Sequence, residues 1–319
     1  FMGPGPDFLT QIKDETQKAA GDKITFGIRM QMTQAGIAGD ETAEGFEEAI
    51  STFNDSVFID QLRSQTRSKG KMSEQRVPFS VRDEGRSGLR DWWTARIDES
   101  WLNQIGGYVP ETDTKKTGMQ AVVAPDSDHI IRYGANATAD ESITTTATFA
   151  LGILDTAIER AETLSPGIRP LMIGGKKHYA AFLHPYQVTA MRTSTSTGQW
   201  LDITKAMYQG EREDNPIFSG ALGMYNNVVL HKDSRVTQGS AAAGTAVTTV
   251  RRAVFCGAQS AVVAFGRDNG PNRFTWVEKS FDYGNQLGIS TGTIWGLKKV
   301  VYNSKDYATI VLATYATAS

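Results

Sequence analysis

Five apolar residues, Leu89, Trp93, Ile97, Trp101 and Ile105, follow one another at i, i+4 steps through residues 80–105, and Trp92 and Leu102 widen the stripe. That spacing lays a bulky ridge along one face of a helix. Ser80 with Asp83 three residues later has the form of a capping box, and Pro78 discourages an earlier start. Gly106-Gly107 supplies a stop, because glycine tolerates the left-handed conformation in which many helices end. At 1.5 Å per residue the helix is roughly 40 Å long, the span of a small domain. Its polar face carries Arg82, Arg86 and Arg90 in register. A rod with one apolar and one basic face predicts a spine for other elements rather than a catalytic loop.

Upstream, residues 1–22 open with Gly and Pro and show no sustained period, which predicts an extended arm. Ile24, Phe26, Ile28, Met30 and Met32 then alternate with other residues, the pattern of a strand with one buried face. After a Gly-rich tip the chain returns through residues 50–62, completing a long two-stranded arm. An isolated hairpin of that length is marginal in water, so its apolar face needs something to lie on, and another subunit is one candidate.

Charge is segregated along this region. Residues 33–62 hold seven acids (Asp40, Glu41, Glu44, Glu47, Glu48, Asp55 and Asp60) and no Lys or Arg, whereas residues 63–96 hold nine bases against four acids. Two separately solvated surfaces would account for this. The sharper expectation is that Asp40, Glu41, Glu44, Glu47 and Glu48 of one copy lie over Arg82, Arg86 and Arg90 of its neighbour. Charges at such a rim steer association and fix register more than they add affinity.

Downstream, short strands are expected at 121–124 and 130–131, then a helix from Phe149 through Ala161 closed by Pro166-Gly167. Strands follow at 171–173 and 179–183, and Pro185 opens a helix through Met191. Residues 200–208 form an amphipathic segment, 228–230 a strand and 239–244 a small-residue loop. A strand ends near Cys256, an Ala-rich helix is expected over 257–265, and strands return at 274–281, 294–302 and 308–315. Strands and helices mix without a βαβ rhythm or an internal repeat, which places the chain in the α+β class.

Residues that carry chemistry are sparse. The four histidines, His129, His178, His184 and His231, offer no i, i+4 pair, and a lone cysteine permits no thiolate cluster, so no metal, cofactor or catalytic residue is assigned. Gly174-Gly175-Lys176 lacks the Ser or Thr and the leading Gly of a phosphate loop. Cys256, in an apolar run, is expected to be a buried reduced thiol. A net charge of −2 gives no case for a nucleic-acid binder, and no apolar stretch reaches the roughly 18 residues of a membrane span.

Four stretches carry a family resemblance: MSEQRVPFSVRDEGRSGLRDWW (72–93), FLHPYQV (182–188), NPIFSGALGMYNNVVLHKDSRV (215–236) and GTIWGLKKVVYNSKDYATIVLAT (292–314). With the order arm, hairpin, long helix and mixed α+β half, the chain resembles the coliphage N-four-type major capsid proteins of tailed bacteriophages, which have the Hong Kong 97 fold. The resemblance implies an N-terminal arm at 1–22 and an extended loop at 23–70. It implies a peripheral domain at 71–141 and 271–319, with spine helix 80–105, and an axial domain at 142–270. The start at Phe1 then reads as an incomplete or trimmed arm. Some relatives of this fold cross-link through a lysine on the extended loop; residues 33–62 contain none, which puts that route in doubt here.

The function implied is a structural shell subunit, assembled in the bacterial host cytoplasm into pentamers and hexamers of an icosahedral virion head around double-stranded DNA. Scaffold, portal and decoration or cement proteins would be its partners, and membranes would not. A cellular nanocompartment of the same fold is the nearest alternative, and a soluble enzyme with a dispersed site is the alternative from another class.

Overall fold

The spine forms where the periodicity requires it. After a single-turn helix α1 (Lys71–Gln75), α2 (Val81–Ile105) starts at Ser80, whose hydroxyl accepts the Asp83 amide hydrogen at 3.3 Å. It ends as Gly107 takes a left-handed φ of 58°. Leu89, Trp93, Trp101, Leu102 and Ile105 are buried, and Trp92 and Ile97 pack against the cluster that the last four of these enter. The computed structural model describes residues 2–14, 21–28, 37–39, 44, 53–134, 137–194, 221–266 and 273–318. Met30, Met32 and the segment 200–208 lie outside them.

Among the described residues, two sheets carry the fold. The six-stranded one runs β1 (Met2–Gly3), β2 (Thr10–Lys13), β13 (Ala261–Phe265), β15 (Gln286–Lys299), β14 (Thr275–Phe281), with β5 (Asp60–Arg67) on the other edge of β15. The eight-stranded one runs β6 (Ile130–Arg132), β18 (Thr309–Tyr315), β12 (Ala246–Cys256), β8 (Lys176–Leu183), β10 (Val228–Lys232), β9 (Ala221–Tyr225). Its accessory strands are β11 (Gln238–Ser240) on β12 and β7 (Leu171–Ile173) on β8. Two ribbons complete the set: β3 (Lys23–Ile28) with β4 (Phe53–Phe58), and β16 (Val301–Tyr302) with β17 (Lys305–Asp306). Among the described residues, α3 (Gly152–Thr163) and α4 (Pro185–Thr193) are the remaining α-helices. Parallel pairs (β2 with β13, β8 with β10, β6 with β18) sit among antiparallel ones, as an α+β chain allows.

The eight-stranded sheet is buried on both faces. Along β12 and β8, Phe255, Tyr179, Ala181 and Leu183 face a cluster that contains α3, while Val254, Cys256 and Ala180 face one that contains the C-terminal half of α2. Strand alternation divides these residues between two cores, so the sequence there reads as a continuous apolar run.

Several expectations need correction. Residues 257–265 are not a helix: β13 is fully buried and hydrogen-bonded between β2 and β15, and a short two-sided strand has no helical period to distinguish it. Residues 121–124 form no ladder; the carbonyls of Ala121 and Val123 instead accept from the side chains of Gln104 and Lys299. The base of the β3–β4 hairpin needs no second subunit, because Ile24, Phe26, Ile28 and Val57 are buried within this chain beside Val300 and Ile310. β13, from within 142–270, joins the sheet that packs on α2, and β18, from within 271–319, lies inside the eight-stranded sheet.

Candidate assembly surface

Among the described residues, the three-stranded ribbon β5–β15–β14 presents an exposed edge strand, β14. Its register sets residues in rungs: Arg67, Gly288 and Lys279; Gln65, Ser290 and Val277; Arg63, Gly292 and Thr275. The intervening rungs point to α2, since a Cβ on Gly85 of that helix would lie 3.3 Å from both Ile289 and Thr66. Trp276, Glu278 and α2 therefore share one face of the ribbon, and the three rungs that include Arg63, Arg67 and Lys279 share the other.

On the α2 face, Arg82 pairs with Glu278 at 2.8 Å, and the Trp276 indole donates to the same carboxylate at 2.9 Å. The hydrogen bond from Arg82 holds Glu278 below the usual carboxylate range and raises Arg82 in return. Arg86 lies 5.8 Å over the Trp276 ring, and among the described residues Arg90 pairs with its neighbour Asp91, at 3.8 Å. The predicted basic row is thus partly engaged within its own chain. Of the five acids expected to meet it, Asp40, Glu41, Glu47 and Glu48 lie outside the described residues, and Glu44 is exposed.

On the opposite face a trough of about 800 Å³ runs along the ribbon, floored by Gly288, Ser290 and Gly292. The small floor is a packing requirement. A Cβ at position 288 would meet the Phe281 ring at 2.5 Å, and one at 292 would meet Arg63 at 2.8 Å. The Arg67 guanidinium caps the Phe281 ring at 4.4 Å, with the Lys279 ammonium 5.4 Å from it. None of the residues lining the trough is an acid.

Buried polar ties hold the spine to the rest of the fold. The Trp101 indole donates to Thr10 Oγ1 at 2.9 Å, fixing α2 to the N-terminal strand β2. Asp140, fully buried, accepts from Arg132 Nε at 2.9 Å, Arg252 Nε at 2.7 Å and the Ser240 amide at 2.9 Å. Arg252 goes on to donate to the carbonyls of Gly106 and Gly107, where cationic charge also suits a helix C-terminus. A second buried pair joins Lys299 Nζ to Asp306 Oδ1 at 2.6 Å; burial lowers the lysine and raises the aspartate, each partly offset by the other's charge. No local sequence pattern marks either pair: Asp140 and Arg252 are distant in the chain, and Lys299 and Asp306, though near in sequence, are brought together only by the β16–β17 turn.

Groups with potential chemistry are used structurally. His184 caps α4 by accepting the Tyr186 amide at 3.2 Å, and burial followed by the charge of Arg251 lowers it to about 4. Burial also lowers His178 and His231, and pushes the Cys256 thiol far up, away from nucleophilic use. Gly174-Gly175, both at positive φ, form the two-residue turn of the β7–β8 hairpin rather than a phosphate loop. Among the described residues no cluster of His, Cys, Asp and Glu is arranged to hold a metal ion, and no helix is long and apolar enough to cross a membrane.

Comparison with known proteins agrees with this picture of a structural surface. The chain matches the phage capsid protein family over residues 2–318. It is 27% identical to the major capsid protein of Pseudomonas phage KPP25 over 347 residues, 97% of this chain and 88% of that protein. It superposes on the capsid of Ralstonia phage GP4 with a TM-score of 0.86 at 30% identity, across 100% of this chain and 90% of that one. The Cyanophage Pam1 capsid, 17% identical, shares the fold with a TM-score of 0.72 over 100% of this chain and 92% of its own. These relatives are phage capsids, which sets the cellular-compartment reading aside. The chain belongs to the phage capsid protein family, has the Hong Kong 97-type α+β fold, and is a major capsid protein, a structural subunit of the shell.

Proposed function

We propose that copies of this chain associate as pentamers and hexamers into an icosahedral head around double-stranded DNA, in the bacterial host cytoplasm and without catalysis. On this reading 1–22 is the N-arm, 23–70 the extended loop, 71–141 with 271–319 the peripheral domain, and 142–270 the axial domain. Asp40, Glu41, Glu44, Glu47 and Glu48 of one copy lie against the basic stretch 63–96 of the next, to which Arg82, Arg86 and Arg90 belong. Scaffold, portal and cement proteins are the further partners this reading allows.

The observation that carries it is the ribbon, with β14 exposed along its length on an edge of the sheet and basic residues on the face away from α2. A lone monomer gains nothing from such an edge, whereas obligate assemblies complete their burial between chains. The test is sedimentation and negative-stain imaging of the protein purified from the host, with nucleic acid measured in the particles. Closed megadalton shells containing DNA are expected. A stable species near the 34.8 kDa monomer would overturn the reading.

A further inference from the structure

The basic stretch presents two faces, and they are not equivalent. On the α2 face, Arg82 is neutralised by Glu278 and Arg86 sits over Trp276, leaving Arg90 as the one member of the row not held by the ribbon. In the trough on the other face, Arg63, Arg67 and Lys279 form no ion pair with any described carboxylate. Three cations with hydroxyl and amide groups between them, and no acid, make a surface whose complement is a run of carboxylates.

The chain carries such a run. Of the seven acids in residues 33–62, Asp55 is engaged at home by Lys298, and Asp60 lies beside the ribbon at the start of β5. The other five, Asp40, Glu41, Glu44, Glu47 and Glu48, are accompanied by no Lys or Arg. Ile28 and Phe53 are register partners, so residues 29–52 leave and return at one point. A loop of that length can reach up to about 40 Å. We propose that the trough of Arg63, Arg67 and Lys279, rather than the Arg82/Arg86/Arg90 row, receives the acidic segment 40–48 of a second copy. The inference rests on the shell reading above and selects the surface within it.

The shallow floor supports this seat. Gly288, Ser290 and Gly292 let an extended chain approach the sheet, and Val277 and Phe281 give it an apolar margin. Phosphate would also be drawn to these cations. A carboxylate run on the chain itself, present once per subunit, is the partner that the charge pattern supplies.

The test is a charge exchange in the full-length protein, read as the fraction sedimenting as shells at low and high salt. Arg63→Glu with Arg67→Glu, and separately Glu47→Lys with Glu48→Lys, should each cut shell yield roughly tenfold, and combining the four should restore most of it. Arg86→Glu with Arg90→Glu should not rescue the lysine variant. If the four-fold combination brings no recovery, or the Arg86/Arg90 pair rescues instead, the trough is not the seat. Normal shells depleted of nucleic acid in the Arg63/Arg67 variant would assign the trough to DNA and overturn the proposal. If the glutamate variant fails to fold by circular dichroism, Arg63→Gln with Arg67→Gln takes its place, with the same expected loss of yield. A wild-type chain that forms no shells in this assay removes the shell reading itself, whatever the variants do.

Discussion

Asp140 takes hydrogen bonds from β6, β11 and β12, and through Arg252 it reaches the carbonyls of Gly106 and Gly107 just past the end of α2. Removing it strands a buried guanidinium, which costs far more than the intact pair contributes. Asp140→Ala should lose about 3–5 kcal/mol in urea unfolding. Arg132→Ala, at a partly exposed position, should lose less; equal losses would show that the Arg252 arm of the knot is not the expensive one. His184 gives a pH signature. Its folded value of about 4 lies below the ordinary 6.5, so the stability it contributes is complete above pH 6.5 and is lost as pH falls toward 4. His184→Asn keeps an acceptor for the Tyr186 amide but does not titrate. Between pH 7 and pH 5 the wild type should lose on the order of 1–2 kcal/mol more than this variant. Equal losses in thermal or urea unfolding would place the acid sensitivity elsewhere.

Strand β15 shows what a single element demands of its sequence. It is 14 residues long and pairs with β5 along one edge and with β14 and β13 along the other. At Gly296 the crossing from β4 to β5 passes so closely that a Cβ would lie 1.8 Å from the Phe58 carbonyl oxygen. Gly296→Ala should therefore destabilise by on the order of 3 kcal/mol, because backbone rather than a flexible side chain must move. A loss below about 1 kcal/mol in chemical denaturation would mean that β4 and β5 can shift apart. At the start of α2, by contrast, Ser80 is exposed and contributes one capping hydrogen bond, so Ser80→Ala should cost only about 1 kcal/mol.

At the scale of the whole molecule, and among the described residues, the two large cores close within one chain while β14 of the ribbon stays exposed along its length. The hairpin base is buried at home through Ile24, Phe26, Ile28 and Val57, so folding and assembly should separate. Replacing residues 29–52 by a short Gly-Asn turn should leave the circular dichroism and the unfolding midpoint of the monomer nearly unchanged while abolishing closed shells in sedimentation and imaging. Shells that still form would mean that the arm is dispensable for closure. Loss of the folded monomer would mean that the arm also completes the core.

Periodicity and end signals determined a good deal on their own. The stripe from Leu89 to Ile105, with Ser80 before it and Gly106-Gly107 after it, specified α2, and the alternation from Ile24 to Ile28 specified β3, because both patterns are written within a few turns of one element. The order of these elements, together with four sequence stretches, carried the family resemblance. Tertiary structure alone decided that 257–265 is a strand, since a segment buried on both faces shows no periodicity that separates it from a buried helix. It alone joined Asp140 to Arg252 across distant strands, and Lys299 to Asp306 across the β16–β17 hairpin, and no local pattern records either pair. It also turned Arg82 inward to Glu278 while leaving Arg63, Arg67 and Lys279 together on one open face. Composition counts charges, but which of them remain unpaired is set by strand register and by the side of the sheet that α2 covers.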